Sequence, residues 1–574
     1  MIEFFALVVE TPILFIDTET NGDDIRDGRG YCQGVSLALP ICSGMYAGMW
    51  ACHYMPLRHK FGFNYSGHWR SALYRALQYR KDRGLPNVYH NAKFDIASIR
   101  TLGVDPGYTF YCTMLMDHLM REEDPLRHSL NSTAAYWVGE EVSKQNKDIS
   151  ILTKSLGWEN VPSELMYHYA MQDAALVGLI FMAMQNRWRK EGLEDYWVSQ
   201  KREMVKAILD MEKIGIGVDE DICNLNIAIG NSVMAELEDK YEARINTRKF
   251  LEDALITKLG LPVFYNKKTG NPTFDKEAME KYDSLLQDMD SELAQDVITY
   301  RGWQETVSSN YKAYLELRSH DGKLRPNYWL HGTKTGRLSC REPNLQQIPR
   351  ESSKPWNGQT KLAFKVDDGF EGWEVDYSQL ELRIATSYAG EEGLVRVFNE
   401  DRDLFTEMAK EMGIPRQQVK TFVYATQYGA GDGRIAEVLH IPNNEAKELI
   451  VNYYATYPGF KEIKDAAVKA ARLRGYVKLW SGRRRHLDKF SAKDAFNSIV
   501  QGGAADIVER AMVRLNRELV NVDCRMLLQV HDSIIFQIRN DKSDYYLPKI
   551  AAIMVDNPKF GAKFKVEAKR FGQV

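Results

Sequence analysis

Twice along this chain a short apolar strand runs straight into a carboxylate. Ile13, Leu14, Phe15 and Ile16 lead into Asp17, Thr18 and Glu19, and the segment from Trp373 reaches Asp376 just before a helix that opens near Ser378. An apolar run of this kind reads as a buried strand of an α/β layer, so each acid is held at the rim of its own sheet. A 574-residue chain also exceeds what one core can hold, and three or four structural units are expected. Residues 1 to about 195 read as an α/β domain that ends in a charged, Trp-rich helix around Trp188 to Trp197. From about 198 to 320 the pattern is mainly helical, opened by Gly215 and Gly217 and carrying a polar turn at Lys267 to Pro272, as in an extended arm. The rest is mixed: turn-rich from 331 to 360, a strand into a helix at 373 to 389, helices to about 474, and an apolar hairpin near 526 to 538.

Hydrophobic residues at 44% and charged residues at 27% exclude disorder and fibrous repeats. The net charge of −3 is too small to argue for nucleic acid by itself, so any such role must come from local clusters. Seven cysteines without a CxxC pair suit a reducing cytoplasm and predict no structural disulfide. The apolar start is broken by Glu10 and Pro12 and has no basic leader, which argues against a signal peptide. No apolar run is long enough to cross a membrane, and a soluble protein is expected.

In an extended chain Asp17 and Glu19 point to one side. Two carboxylates there repel each other unless a cation lies between them, which suggests a divalent-metal site. An isolated Asp-x-Glu is more often a solvated strand end, but further acids follow: Asp95 closes HNAKFD and Asp173 closes YAMQD. Tyr169 and Asp173 share one helical face at i and i+4. This set resembles the DEDD exonucleases, specifically the proofreading domain of family A DNA polymerases. The resemblance implies that Asp17, Glu19, Asp95 and Asp173 hold two metal ions about 4 Å apart, with Tyr169 orienting the attacking water.

The second cluster pairs Asp376, at a strand end, with Asp532 at the tip of the hairpin formed by MLLQV and IIFQI. Acids on adjacent strands can share metals, as nucleotidyl transfer requires. Between them lies RQQVKTFVYATQYG, in which Arg416, Lys420, Tyr424 and Tyr428 recur every four residues and line one helix stripe. Basic groups there suit a triphosphate and the rings suit a base and sugar. These three segments match the A, B and C motifs of family A DNA polymerases, the group containing bacterial polymerase I and several phage replicases. MEKIGIGVD near 211, KLGLPV near 258, TKTGRLSCREPNLQQIP at 333 to 349 and QGGAADIVERAM at 501 to 512 extend the match over nearly the whole chain.

The resemblance implies a ribonuclease H-like 3′-5′ exonuclease domain over 1–195 and a right-hand polymerase over 196–574. The thumb falls at about 200–320, the palm at about 321–400 and 475–574, and the fingers at about 401–474. Asp376, Asp532 and the backbone carbonyl of Tyr377 would ligate the metals, two Mg2+ at each site with Mn2+ able to substitute. Arg416, Lys420, Tyr424, Tyr428 and Gln379 would bind the incoming nucleotide. Glu381 would sit under the sugar and reject a 2′ hydroxyl; Ser378 and Glu381 also read as an S-x-x-E capping box at the helix start. Arg337, Asn497, Gln501 and His531 would contact primer and template, mostly through duplex shape. The run Arg483, Arg484, Arg485 and His486 suits a phosphate track. The implied partners are primer-template DNA and deoxynucleoside triphosphates, handled by a monomer.

Some positions depart from the family. Ser533 stands where most relatives have a glutamate after the catalytic aspartate, Phe405 replaces the usual histidine, and Lys493 stands where an arginine is common. Tyr424 is similar to the form that accepts dideoxynucleotides. No 5′ nuclease domain and no large processivity-factor insertion are expected, and the short link from Phe405 to Arg416 resembles phage members. Three alternatives stand beside this expectation: an exonuclease whose second half only grips nucleic acid, an inactive clamp at primer junctions, and a single-subunit RNA polymerase. The complete sets of acids argue against the first two, and Glu381 with the exonuclease motifs argues against the third.

Overall fold

The computed structural model describes residues 1–41, 48–123, 128–143, 147–266, 269–287, 289, 291–349, 354–357, 359–556 and 559–572. The first domain is built on a five-stranded sheet of β1 (Leu14–Thr20), β2 (Cys32–Pro40), β3 (Trp50–Pro56), β4 (Asn87–Tyr89) and β5 (Phe110–Cys112), in the order β3-β2-β1-β4-β5. β1 is antiparallel to β2 and parallel to β4. Its three apolar residues, Leu14, Phe15 and Ile16, are buried on both faces, as expected of a central strand flanked by helices. Helix α1 (Ala92–Arg100) follows β4, and the 29-residue α2 (Ser163–Glu191) crosses the sheet with Val177, Ile180 and Met184 buried. At the crossing Gly178 sits where a Cβ would come within 2.3 Å of the Trp50 ring; only glycine lets helix and strand approach this closely.

The expected Trp188-to-Trp197 helix does not form as one piece. Gly192 at φ 65° ends α2 in a left-handed cap, the usual way a helix terminates at glycine. Trp188 and Trp197 then pack edge-to-face at 6.1 Å across the break. The arm also begins later than 198. Helix α3 (Arg202–Ile214) buries Met204, Val205, Ile208 and Met211 in the main core, and the strand Ile216–Val218 pairs with Phe364–Lys365 and Lys323–Leu324. Beyond Glu220 the arm has a small core of its own, including Ile245, Leu255, Phe274, Tyr282 and Val297. Of the polar turn at 267–272, residues 267 and 268 lie outside the described residues; it is closed by Asn266 N–H donating to Asn271 O at 2.8 Å.

The remainder is organised by a four-stranded antiparallel sheet. It comprises β6 (Phe370–Tyr377), β7 (Cys524–Val530), β8 (Ser533–Arg539) and β9 (Val566–Arg570), in the order β7-β8-β6-β9. The expected hairpin is β7–β8. The six described cysteines are free, and Cys42 lies outside the described residues. No helix among the described residues is long and apolar enough to cross a membrane.

Polar pairs, several of them buried, hold the basic run at 483–486 and its surroundings, and those of Arg485 and His486 reach back into the first domain. Arg483, 1% exposed, pairs with Asp506, and Tyr196 donates to Asp506 at 3.2 Å. Lys201 pairs with Glu509 at 2.6 Å, Arg485 with Glu123 at 2.8 Å, and His486 lies between Glu122 at 2.9 Å and Glu191 at 3.1 Å. The assignment of Arg483 to DNA contact is therefore corrected: its charge is spent inside the protein, where an unpaired guanidinium would be far costlier. Burial pulls the His486 pKa down, but the hydrogen bonds and charges of Glu122 and Glu191 outweigh it and push the pKa up to about 9. A raised folded-state pKa means that this stabilisation is complete below the ordinary 6.5 and is lost as pH rises through about 9. The gap corresponds to at most about 3 kcal/mol. Wild type should lose melting temperature relative to His486→Gln as pH rises from 6 to 10; parallel melting curves over that range would contradict the pairing.

Candidate active sites

The first site lies where β1 meets α2. Strand alternation puts Asp17 and Glu19 on one side, and α2 brings Tyr169 and Asp173, one turn apart, over the strand. Oxygens of Asp17, Glu19 and Asp173 all lie within 4.8 Å of one another. Asp95, in the first turn of α1, stands outside that trio and accepts a hydrogen bond from Thr18 Oγ1 at 2.8 Å. Thr18 was overlooked in the sequence because it lies between the two acids and carries no charge.

Burial raises the Asp17 carboxyl well above the usual range, with Asp95, Glu19 and Asp173 adding repulsion. Burial and the same neighbours push Glu19 up to about 8, and burial pushes Asp95 up to about 7 against the hydrogen bonds it accepts. The Tyr169 hydroxyl, raised by burial and by these acids, is hydrogen-bonded to Asp173. Asp17, Glu19 and Asp95, which resist ionising, together with Asp173 form a donor set of hard oxygens, which a divalent cation such as Mg2+ satisfies.

The second site is the exposed rim of the four-stranded sheet. Asp376 near the end of β6 faces Ser533 on β8 and Glu567 on β9. His531, at φ 54°, turns the β7–β8 hairpin so that Asp532 sits at its tip. Tyr377 N–H donates to Asp532 O at 3.3 Å, which fixes the two acid-bearing segments side by side. A cavity of about 850 Å³ opens here, with Arg337, Asp376, Glu381, Tyr424, Tyr428 and Asp532 in its wall. Gln379 and His531 also line it.

Helix α4 (Leu380–Ala389) starts after Gln379, whose φ of 53° is left-handed, and no side chain caps it. The capping-box assignment is corrected accordingly. The Glu381 carboxylate, 6% exposed, instead accepts from the Arg337 guanidinium and from the Tyr428 hydroxyl at 2.8 Å. Arg337 also lies 3.6 Å from Asp532 Oδ1. Helix α5 (Arg416–Gln427) carries the expected stripe; Tyr428 follows its last residue and stacks on Tyr424 at 6.4 Å. Arg416 and Lys420 stand two turns and one turn before Tyr424, exposed and outside the cavity wall. Arg416 forms a two-pronged pair with Asp403, at 2.9 and 2.7 Å, over the Phe405 ring. Asp403 caps the helix Leu404–Met412 as well, a double role that the sequence did not signal.

Asn497 and Gln501 are one turn apart and half-buried on α6 (Ala495–Glu518), also outside the wall. Arg484 is half-exposed, with its guanidinium over the Tyr476 ring at 4.7 Å. Ser533 is buried. Glu374 and Lys361 line the cavity and went unnoticed, although Glu374 precedes Asp376 by two and so shares its face.

Two family models match the chain: "DNA polymerase family A" over residues 224–572 and "3'-5' exonuclease" over residues 3–189. The chain is 26% identical to DNA polymerase I of Pseudomonas aeruginosa, over 97% of its own length and 63% of that protein's. It is 31% identical to the thermostable DNA polymerase I of Thermus aquaticus, over 62% of this chain and 46% of that one. The chain thus spans about half to two thirds of these relatives. Its fold is like that of the POL domain of Pol1 from M. smegmatis, solved in complex with DNA primer-template and dNTP. There the TM-score is 0.82 at 20% identity, covering 99% of this chain and 97% of that one.

Proposed function

The chain belongs to DNA polymerase family A, and from that membership we propose that it extends primer 3′ ends with deoxynucleotides on a DNA template and proofreads them with its own 3′-5′ exonuclease. The observation that carries this function is the presence of two separate carboxylate sites, Asp376 with Asp532 in one half and Asp17, Glu19 and Asp173 in the other.

Mg2+ bound at either site would lower the pKa of an attacking oxygen and offset charge on the phosphoryl group; Mn2+ could replace it. The chain's own side chains supply the rest. At the synthetic site Glu381, held between Arg337 and Tyr428, presents a nearly buried carboxylate beneath the sugar position and selects against a 2′ hydroxyl. Arg416 and Lys420 receive the triphosphate, with Asp403 keeping the Arg416 fork pre-oriented. Tyr424 and Tyr428 offer ring faces to the nucleotide, and Arg337, Asn497, Gln501, His531 and Arg484 follow the duplex. At the exonuclease site Tyr169 and the buried acids orient water at the 3′ end. The palm and fingers divide as the motifs suggest and the thumb is the arm beyond Glu220, in a monomer working in the cytoplasm. A replicative role in a phage rests on the short Phe405–Arg416 link, whereas the relatives described above are bacterial.

Purified chain with Mg2+ and a recessed primer should lengthen the primer when deoxynucleotides are present and shorten it when they are absent. Shortening without any lengthening would leave a nuclease whose second half does not synthesise.

A further inference from the structure

Building on the polymerase function proposed above, we infer that Glu374 is a positioning residue of the synthetic site, acting through Ser533 on the hairpin that carries Asp532. From β6 it supplies the carboxylate that the chain lacks at position 533. Sheet register sets the geometry. Ser533, Asp376 and Glu567 form one row across β8, β6 and β9, and Ile535, Glu374 and Lys569 form the next row on that face, two positions along. Glu374 and Asp376 are therefore on the same face, about 7 Å apart along the strand, and both line the cavity.

Each oxygen of Glu374 has a separate partner. Oε2 accepts from Lys361 Nζ at 2.7 Å, and Oε1 accepts from Ser533 Oγ at 3.3 Å. Ser533 Oγ carries a single hydrogen, shared between Glu374 Oε1 and Val530 O at 2.9 Å, so one hydroxyl ties the acid to the base of the hairpin turn. Lys361 is itself fixed, its ammonium over the Phe571 ring at 5.9 Å. A simple ion pair with Lys361 would need only one oxygen. The second, turned across the strand to Ser533, connects the acid to the residue beside Asp532. A glutamate at 533 would project its carboxylate just past the Cβ of that residue; a carboxylate one hydrogen bond from Ser533 Oγ occupies the same region, approached from the neighbouring strand. Glu567 is a poorer candidate, being exposed on edge strand β9 and 3.8 Å from Lys569.

Residues that orient metal-binding groups typically contribute about 10- to 100-fold in affinity or activity. The test uses an Asp17→Ala parent, so that primer shortening does not interfere, and reads single-turnover extension, the KM for deoxynucleotide, and Mn2+ affinity by electron paramagnetic resonance. Glu374→Ala should slow extension about 10- to 100-fold, leave KM in place and weaken Mn2+ binding. Adding Ser533→Glu to Glu374→Ala should return both rate and Mn2+ affinity to within a few-fold of the parent. Glu374→Gln, which keeps the shape and removes the charge, should fall with Glu374→Ala and guards against misfolding. Parental rate and Mn2+ affinity in both single variants, or a double variant no better than Glu374→Ala, would overturn the inference while leaving the polymerase function intact. A parent that cannot extend the primer would overturn both.

Discussion

Asp376→Ala should abolish primer extension and leave primer shortening untouched. Asp376 is exposed on the sheet rim, so removing it costs the core nothing and the melting curve should hardly move. The loss falls on the reaction. Charge stabilisation by a bound metal is worth several kcal/mol, which is on the order of 10³-fold in rate. The neighbouring acids are committed to cations, Asp532 facing the Arg337 guanidinium at 3.6 Å, Glu374 pairing with Lys361 at 2.7 Å and Glu567 lying 3.8 Å from Lys569, and Ser533, directly across from Asp376, carries no charge. Steady-state extension and shortening assays on one preparation check this. Extension within 10-fold of wild type, with the fold intact, would remove Asp376 from the site.

Asp17→Ala should show the opposite pattern, losing shortening by on the order of 10³-fold while extension continues. It should also stabilise the metal-free protein. Burial raises the carboxyls of Asp17, Glu19 and Asp95, and neighbouring acids add repulsion at Asp17 and Glu19; Glu19 reaches about 8 and Asp95 about 7. An acid whose folded-state pKa is raised contributes stability that is present below its unfolded value, near 4.5 for Glu19, and lost as pH climbs through the folded value. Without divalent metal, wild type should therefore melt progressively lower between pH 5 and 8, and Asp17→Ala should resist that fall. Mg2+ should restore wild type more than the variant. A wild-type melting temperature indifferent to both pH and Mg2+ would contradict a site made of crowded acids.

The acids were legible because each sits in a local pattern that the fold preserves. Asp17 and Glu19 follow strand alternation, Tyr169 and Asp173 follow helical spacing, and Asp532 follows from two apolar strands closing on a short turn. Misreadings arose where a local pattern met a distant partner. Ser378 and Glu381 spell a capping box, yet Glu381 is drawn to Arg337 and Tyr428, more than forty positions away in either direction. The basic run at 483–486 looks like a solvated phosphate track, but Asp506, Glu122, Glu123 and Glu191 converge on it from other parts of the chain. Gly192 ended a helix that the tryptophans on either side suggested would continue. Thr18, Asp403 and Glu374 were missed for a related reason: each acts by holding another residue, and only the folded register shows which one.

The central claim is that the two carboxylate sites serve the same primer end in turn. The most direct measurement is idling turnover: the chain, Mg2+, a primed template and only the next complementary deoxynucleoside triphosphate, with release of the monophosphate followed over time. Repeated addition and removal should convert triphosphate to monophosphate well beyond one equivalent of primer, and both Asp376→Ala and Asp17→Ala should stop it. Monophosphate release that persists in either variant, or wild-type extension with none at all, would contradict a polymerase that proofreads its own product.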